Sequence, residues 1–485
     1  MKKLKPIMLV GTASDVGKSV ITTGLCRILL EDGYSPAPFK GQNMSNNSAA
    51  TPDGKEIGRA QAVQADACKL PYNTDMNPVL LKPNSDKNCQ VIVNGSVWGN
   101  SDAASFFKDQ NRDLLFGEVC LALDRLGKKH NPIVMEGAGS ISELNLKDKD
   151  ITNLRLALHN EANCYLITDI DKGGIFGSLY GTMELLSPEE RALIKGIIIN
   201  KFRGDLALLK PGIAQIEQLC KVPVIGVVPY FRDIIIEEED GLSLHGKNTS
   251  PSKNRQKIGI VLLSHMSNFT DFTPLENDER FTVFYSDKPQ LLEEADILLL
   301  PGTKNTIADL QEIQAKGIRQ VIQTFSENNK PIIGICGGLQ MMGESISDPF
   351  QSEGESPTMP GFNLLPITTE MSPEKTTQQT QFHFLDFPEK CQGYEIHMGK
   401  TTLLDATLST LNHLESGNEG YWLHENCWGT YMHGIFENKT VRDYLAKSSS
   451  ESSINYPEFK DLQYTKLAAL LRANLNIPLI YAQGQ

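Results

Sequence analysis

The sequence predicts two consecutive α/β domains, each built on a mostly parallel sheet with helices on both faces. Short apolar runs recur at 7–10, 133–135, 165–168, 197–199 and 224–228, with room for a helix between them. Runs without polar alternation are what strands buried on both faces look like. Near residue 235 the pattern gives way to EEEDGLSLHGKNTSPSKNRQ, charged at first and then rich in Ser, Asn and Gly. It restarts at 258–263, 297–300 and 332–335. The expected organisation is a first domain over 1–235, a linker over 236–256, a second domain over 257–450 and a helical extension over 451–485.

Size and charge bound the function. At about 150 residues per domain, 485 residues make roughly three domains or two large ones. Asp plus Glu number 59 against 46 Lys plus Arg, a formal charge of −13, which argues against a nucleic-acid partner. No apolar run approaches the ~18 residues that span a bilayer, so no membrane partner is expected. The opening MKKLKPIMLVGTASD places basic residues before apolar ones, but its apolar run is short and leads into a glycine loop, unlike a signal peptide. The nine cysteines form no C-x-x-C pair and read as reduced thiols, so the expected location is the cytoplasm. Nothing in the sequence sets an oligomeric state.

Along the chain, the apolar strand at 7–10 is followed by a helix over 20–30 that Gly33 closes. The stretch 41–90, rich in Asn, Gln, Pro and Ala, is too long for a plain loop and is expected to carry helices and substrate contacts. Residues 368–380 are polar and read as a surface loop, and KSSSESS at 447–453 reads as low-complexity chain.

The run IMLVGTASDVGKS is a strand, a glycine loop and a helix start. Backbone N–H groups of such a loop converge on phosphate with the positive end of the helix dipole behind them. Lys18 would reach the outer phosphates and the Ser19 hydroxyl would ligate Mg²⁺. Five residues, not the usual four, separate Gly11 from Gly17, and Thr12 stands where the strict pattern has glycine. A metal carboxylate is expected at the end of a neighbouring strand, and PIVMEGAG supplies Glu136. Asp169 and Asp171, in ITDIDKGG, end another strand and could serve metal, substrate or a helix cap. Asn200, followed by Lys201, resembles a base-recognition step.

The second domain carries PIIGICGGLQ, a G-x-C-x-G at the end of a buried strand. This is the pattern of a nucleophile elbow, a tight strand-to-helix turn that presents Cys336 at a helix N-terminus. A free thiol ionises near ~8.5, and a helix dipole with a nearby imidazole favours the thiolate. The N–H of Gly337 and one from the Gly302-Thr303 segment would form an oxyanion hole. The base must be a histidine distant in sequence. His433 in GTYMHGIF and His397 in GYEIHMG both have β-prone, glycine-flanked surroundings, and spacing leaves both open.

These residues resemble the cobyric acid synthase family, glutamine-dependent amidotransferases of cobalamin biosynthesis. The resemblance covers nearly the whole chain. Besides the two motifs it includes GQNMSNN at 41–47, MNPVLLKP at 76–83, EGAGS at 136–140, DIDKGG at 169–174, NKFRGD at 200–205, SNFTDF at 267–272, EIHMG at 395–399 and HGIF at 433–436. It implies an N-terminal domain similar to dethiobiotin synthetase, a P-loop NTPase-like parallel sheet, and a C-terminal class I glutaminase domain. It implies ATP as co-substrate with Mg²⁺, no tightly bound organic cofactor, and a corrinoid and glutamine as the other substrates. The expected reaction is amidation of carboxylates b, d, e and g of adenosylcobyrinic acid a,c-diamide. By the same resemblance His433 is the base, while Asn43, Asp169, Asp171, Lys172, Glu395 and His397 are candidates for substrate or metal contact. Two positions depart from related families. Ile435 stands where other class I glutaminases have Glu two residues past the histidine, leaving a dyad or a ring oriented by Glu437 or another group. The region of Gln42 and Asn43 offers no carboxylate for the metal. The 41–47 and 76–83 blocks argue against the related a,c-diamide synthase, and Cys336 argues against a partition-type ATPase.

Overall fold

The computed structural model describes residues 3–83, 88–102, 109–237, 255–353, 358–448 and 454–485. Most of the expected linker, and the end of the low-complexity stretch at 449–453, lie outside these residues. The first sheet has six parallel strands in the order Val224–Pro229, Ile194–Phe202, Asn163–Asp169, Ile7–Gly11, Ile133–Glu136, Ala37–Phe39. Every apolar run predicted here is one of these strands. Ile7–Gly11 is buried along its whole length, and its neighbours end in Asp169 and Glu136. Their carboxyl ends therefore meet beside the phosphate loop, which is where open parallel sheets take ligands.

The helix after the loop, Lys18–Glu31, packs one face on this sheet and the other against Tyr456–Asn474. Leu467 and Leu471 are fully buried there beside Ile21 and Leu25. Burying each such leucine stabilises by roughly 1.5–3 kcal/mol. Gly24 is required by the close approach, since a Cβ would lie 2.3 Å from Leu471 Cδ1. Arg27 adds a bidentate pair with Asp461 at 2.8 and 3.1 Å. The last helix, Ile477–Gly484, binds the first sheet through Lys5 N to Gly484 O and Asn163 Nδ2 to Gln483 O, both 2.8 Å. The chain's end thus completes the first domain.

The second sheet starts with parallel strands Phe281–Ser286, Gln256–Val261, Ile297–Leu300, Ile332–Ile335 and Cys427–Thr430. It then turns antiparallel through Gly417–His424 and Ser409–Leu414 to Ile367–Phe384, which pairs with Lys390–Leu403. The loop expected at 368–380 is instead the middle of that 18-residue strand. Its residues are polar because they face solvent or the first domain: Gln379 donates to Ala50 O at 2.6 Å and Lys375 pairs with Glu56. An antiparallel strand needs no apolar run when little of it lies over a core.

The stretch 41–90 holds one α-helix, Arg59–Ala67, but mainly short strands. Ser48–Ala50 and Glu56–Gly58 form a hairpin, while Gln42–Met44 and Val79–Pro83 enter a separate four-stranded sheet. Their small and polar composition hid them from a reading by periodicity.

Candidate active sites

At the phosphate loop Gly17 adopts φ 98° and starts the helix. Only glycine fits, because a Cβ there would lie 2.1 Å from Asn200 Nδ2, which itself donates to Val16 O at 2.8 Å. Asn200 therefore braces the loop from the next-but-one strand. Lys18 Nζ donates to Ala13 O at 3.0 Å and to Gly139 O at 2.9 Å, tying the loop to the segment after Glu136. Thr12 Oγ1 bonds Thr168 Oγ1 at 3.2 Å. The helix has no acidic residue of its own in its first turn.

Glu136 is 1% exposed and faces Ser19, whose hydroxyl donates to it at 2.8 Å. Lys40 at 3.1 Å and Gln64 at 2.6 Å also donate to its carboxylate. Burial favours protonation, but Lys40 and then the hydrogen bonds outweigh it and hold this carboxyl below its usual range. Lys40, just past strand Ala37–Phe39, is the charged group beyond the second strand where a carboxylate is missing. A hydroxyl and an ionised carboxylate at the foot of a phosphate loop fit a magnesium ion whose other ligands are phosphate and water. Among the described residues no cluster of three His, Cys, Asp or Glu side chains offers an all-protein cage. Asp169 pairs with Lys201 at 2.9 Å, and Lys201 also donates to Asp15 O in the loop. Asp171 and Lys172 are exposed, Asp171 paired with Arg203 at 3.1 Å, and neither aspartate caps the next helix, whose N-cap is Gly174. Asn43 is buried against Gln61 at 3.1 Å.

In the second domain Cys336 sits between strand Ile332–Ile335 and helix Gly337–Met342 with φ 52° and ψ −109°. A non-glycine residue held there is strained, as a nucleophile elbow requires. A Cβ on Gly338 would lie 2.0 Å from Leu300 O, and one on Gly334 would lie 2.7 Å from Gly338 C. The two glycines let the turn form. Gly337 opens its helix, so its N–H has no intrahelical acceptor, and it faces Thr303, whose N would be 3.1 Å from a Cβ there.

His433 is the histidine that joins Cys336. Its Nδ1 is 2.7 Å from Asp271 Oδ2, and Gly434 N donates to Asp271 Oδ1 at 2.9 Å. Buried Nε2 has no partner of hydrogen-bond geometry among the described residues, and beside Asp271 the Cys336 thiol is the group that acts on this ring. Gly302 lies against the imidazole, 3.3 Å from Cε1 to its Cβ position. Burial alone would strip the ring's proton; Asp271, then Cys336, outweigh it and push the pKa up to about 10. Asp271 thus orients the His433 ring, in the place left open by Ile435. Glu437 does not: it pairs with Lys460 at 3.3 Å. The sequence signal for Asp271 was the SNFTDF block, quoted without a role because 162 residues separate it from His433.

His397 takes a different place. Its Nε2 is 3.2 Å from Glu395, its Nδ1 is 2.9 Å from Gly399 O, and its ring stacks on Tyr431 with centroids 3.7 Å apart. It lines a cavity of about 40 Å³ beside Cys336, with Thr303, Lys304, Gln340, Glu353, Lys375 and, from the first domain, Lys82. Burial pushes Lys375 down to about 7 and Glu353 up to about 7. Lys82 lies in the 76–83 block, quoted without a role, while Lys304 and Lys375 carry no pattern in the sequence.

Two adjoining sites, a braced phosphate loop and a Cys–His–Asp elbow, make this a nucleotide-using protein with its own amide-hydrolysing centre. Residues 7–244 match the CobQ/CobB/MinD/ParA nucleotide binding domain, and residues 257–441 match the CobB/CobQ-like glutamine amidotransferase domain. The chain is 52% identical to the cobyric acid synthases of Bacteroides fragilis and Parabacteroides distasonis, covering 99% of this chain and 98% of each relative. It is 40% identical to that of Clostridium novyi, covering 99% and 97%. The chain belongs to the cobyric acid synthase family. No helix among the described residues is long and apolar enough to cross a membrane.

Proposed function

We propose that this protein uses ATP and glutamine to amidate the b, d, e and g carboxylates of adenosylcobyrinic acid a,c-diamide, giving adenosylcobyric acid. The observation that carries the reading is the pairing of Cys336 with the His433–Asp271 couple in a chain that also holds a phosphate loop. Cys336 attacks the side-chain carbonyl of glutamine. The N–H groups of Gly337 and the Gly302-Thr303 segment receive the oxyanion; losing one such donor costs roughly 3–4 kcal/mol of transition-state stabilisation. His433, protonated and held by Asp271, gives its proton to the leaving nitrogen, so ammonia departs and a thioester remains. Water, deprotonated by His433, then releases glutamate and restores the thiol. His397, held by Glu395, lines the glutamine pocket.

In the first domain Thr12, Gly17, Lys18 and Ser19 hold the triphosphate, with Asn200 bracing the loop toward the base. Ser19 and Glu136 are the residues for Mg²⁺, which when bound neutralises phosphate charge. The substrate carboxylate attacks the γ-phosphorus and ADP leaves. Ammonia then displaces phosphate from the acyl phosphate to form the amide. Lys18 stabilises charge on the transferring group. Asp171 and Lys172, exposed just past strand Asn163–Asp169, are available to the corrinoid. The test is mass spectrometry of the corrinoid after incubation with ATP, Mg²⁺ and glutamine. Four successive losses of about one mass unit, OH becoming NH₂ each time, are expected; an unchanged corrinoid with ATP and glutamine consumed would refute the substrate.

A further inference from the structure

The glutaminase base is held in part by the other domain. The ring of Tyr394 stacks on the imidazole of His433, with centroids 5.3 Å apart and planes 24° apart, and the two residues are register partners in adjacent strands. One face of the base is therefore set by where the tyrosine ring lies. The Tyr394 hydroxyl accepts a hydrogen bond from Arg59 Nη2, and that arginine belongs to the nucleotide domain. Arg59 is 5% exposed, donates also to Ser48 O at 3.1 Å, and lies 3.9 Å from Glu237. It is fixed before it reaches the tyrosine.

The same segment reaches the third member of the triad. Phe269 N donates to Asn47 Oδ1 at 3.2 Å, and Ser48 N donates to Asn268 Oδ1 at 2.9 Å. This reciprocal pair clamps the turn leading to Asp271, a turn in which Asn268 is left-handed with φ 51°. Arg59 is also the first residue of helix Arg59–Ala67, on which Gln64 donates to Glu136 beside the phosphate loop. One nine-residue helix thus starts at the tyrosine that stacks on His433 and bonds the nucleotide-site carboxylate.

We propose that Arg59, acting through Tyr394, is a positioning residue for His433, so that the glutaminase centre is aligned by the docked 47–59 segment of the nucleotide domain. The inference rests on Cys336 and His433 being the glutaminase centre. A base displaced by a fraction of an ångström loses rate without losing substrate affinity.

The experiment uses the full-length enzyme with Tyr394→Phe, which keeps the ring and removes only the hydroxyl, and with Arg59→Met. Three quantities are read for each: glutaminase kcat, KM for glutamine, and synthesis driven by free ammonia. Both variants are expected to lose roughly tenfold to a hundredfold in glutaminase kcat, with KM within about twofold and ammonia-driven synthesis unchanged. Alkylation of Cys336 by iodoacetamide at neutral pH should slow in parallel. The proposal is overturned if Tyr394→Phe keeps wild-type kcat, if KM carries the loss, or if ammonia-driven synthesis falls equally. Cys336→Ser in the same assay separates the premise: were it to hydrolyse glutamine normally, the centre itself would be misassigned.

Discussion

The two active sites are assembled in opposite ways. The phosphate loop is a contiguous run whose partners, Asn200, Gly139 and Glu136, sit at the ends of strands in its own sheet. The proposed glutaminase centre draws Cys336, His433 and Asp271 from three separate segments, and its lining from both domains. A site built on one turn is stable by virtue of local geometry. A site collected across an interface can be misaligned by moving any one contributor, which gives it a means of sensing the other domain.

That contrast is sharpest where charge handling fails. Lys18→Ala and Glu136→Ala should each stop synthesis with glutamine or with ammonia while leaving basal glutamine hydrolysis measurable. The readout is amide formation under both nitrogen sources; near-normal synthesis by Glu136→Ala would move the metal carboxylate to Asp169 or Asp171.

The glutaminase centre should break at Asp271. Asn keeps the shape of the side chain but removes the charge that holds the imidazolium, so Asp271→Asn is expected to lower glutaminase kcat by about 10²-fold or more. The pH dependence has a definite sign. Because the His433 pKa is raised to about 10, the stabilisation of its protonated form is complete below its ordinary value of ~6.5 and is lost as pH rises through about 10. In Asp271→Asn the alkaline limb of kcat/KM should move down by about one unit or more, and an unmoved limb would assign that titration to another group.

A smaller effect is expected from His397→Ala. It removes a stacked ring and a hydrogen bond at the wall of the cavity, so KM for glutamine should rise more than kcat falls. A loss of kcat equal to that of His433→Ala would reverse the two histidines' roles.

How far the sequence could be read follows the same division. Strands buried on both faces were legible because most of their length is an apolar run, and the phosphate loop and the elbow were legible because each is a local pattern. Asp271 was not, since its meaning depends on a histidine far along the chain. The strand Ile367–Phe384 was missed because hydrogen bonding to Lys390–Leu403, with little apolar burial along its middle, makes it a strand. The docking of Tyr456–Asn474 on the phosphate-loop helix was equally hidden, as an amphipathic pattern names a buried face without naming what covers it.

The central claim is that ammonia is made at Cys336 and consumed in the other domain. The direct measurement is amide formation by Cys336→Ser supplied with either glutamine or a high concentration of ammonium. The account predicts no amide from glutamine and near-normal amide from ammonium, because the thiol is needed only to release the nitrogen. Loss of synthesis from both sources in a folded Cys336→Ser protein would contradict it.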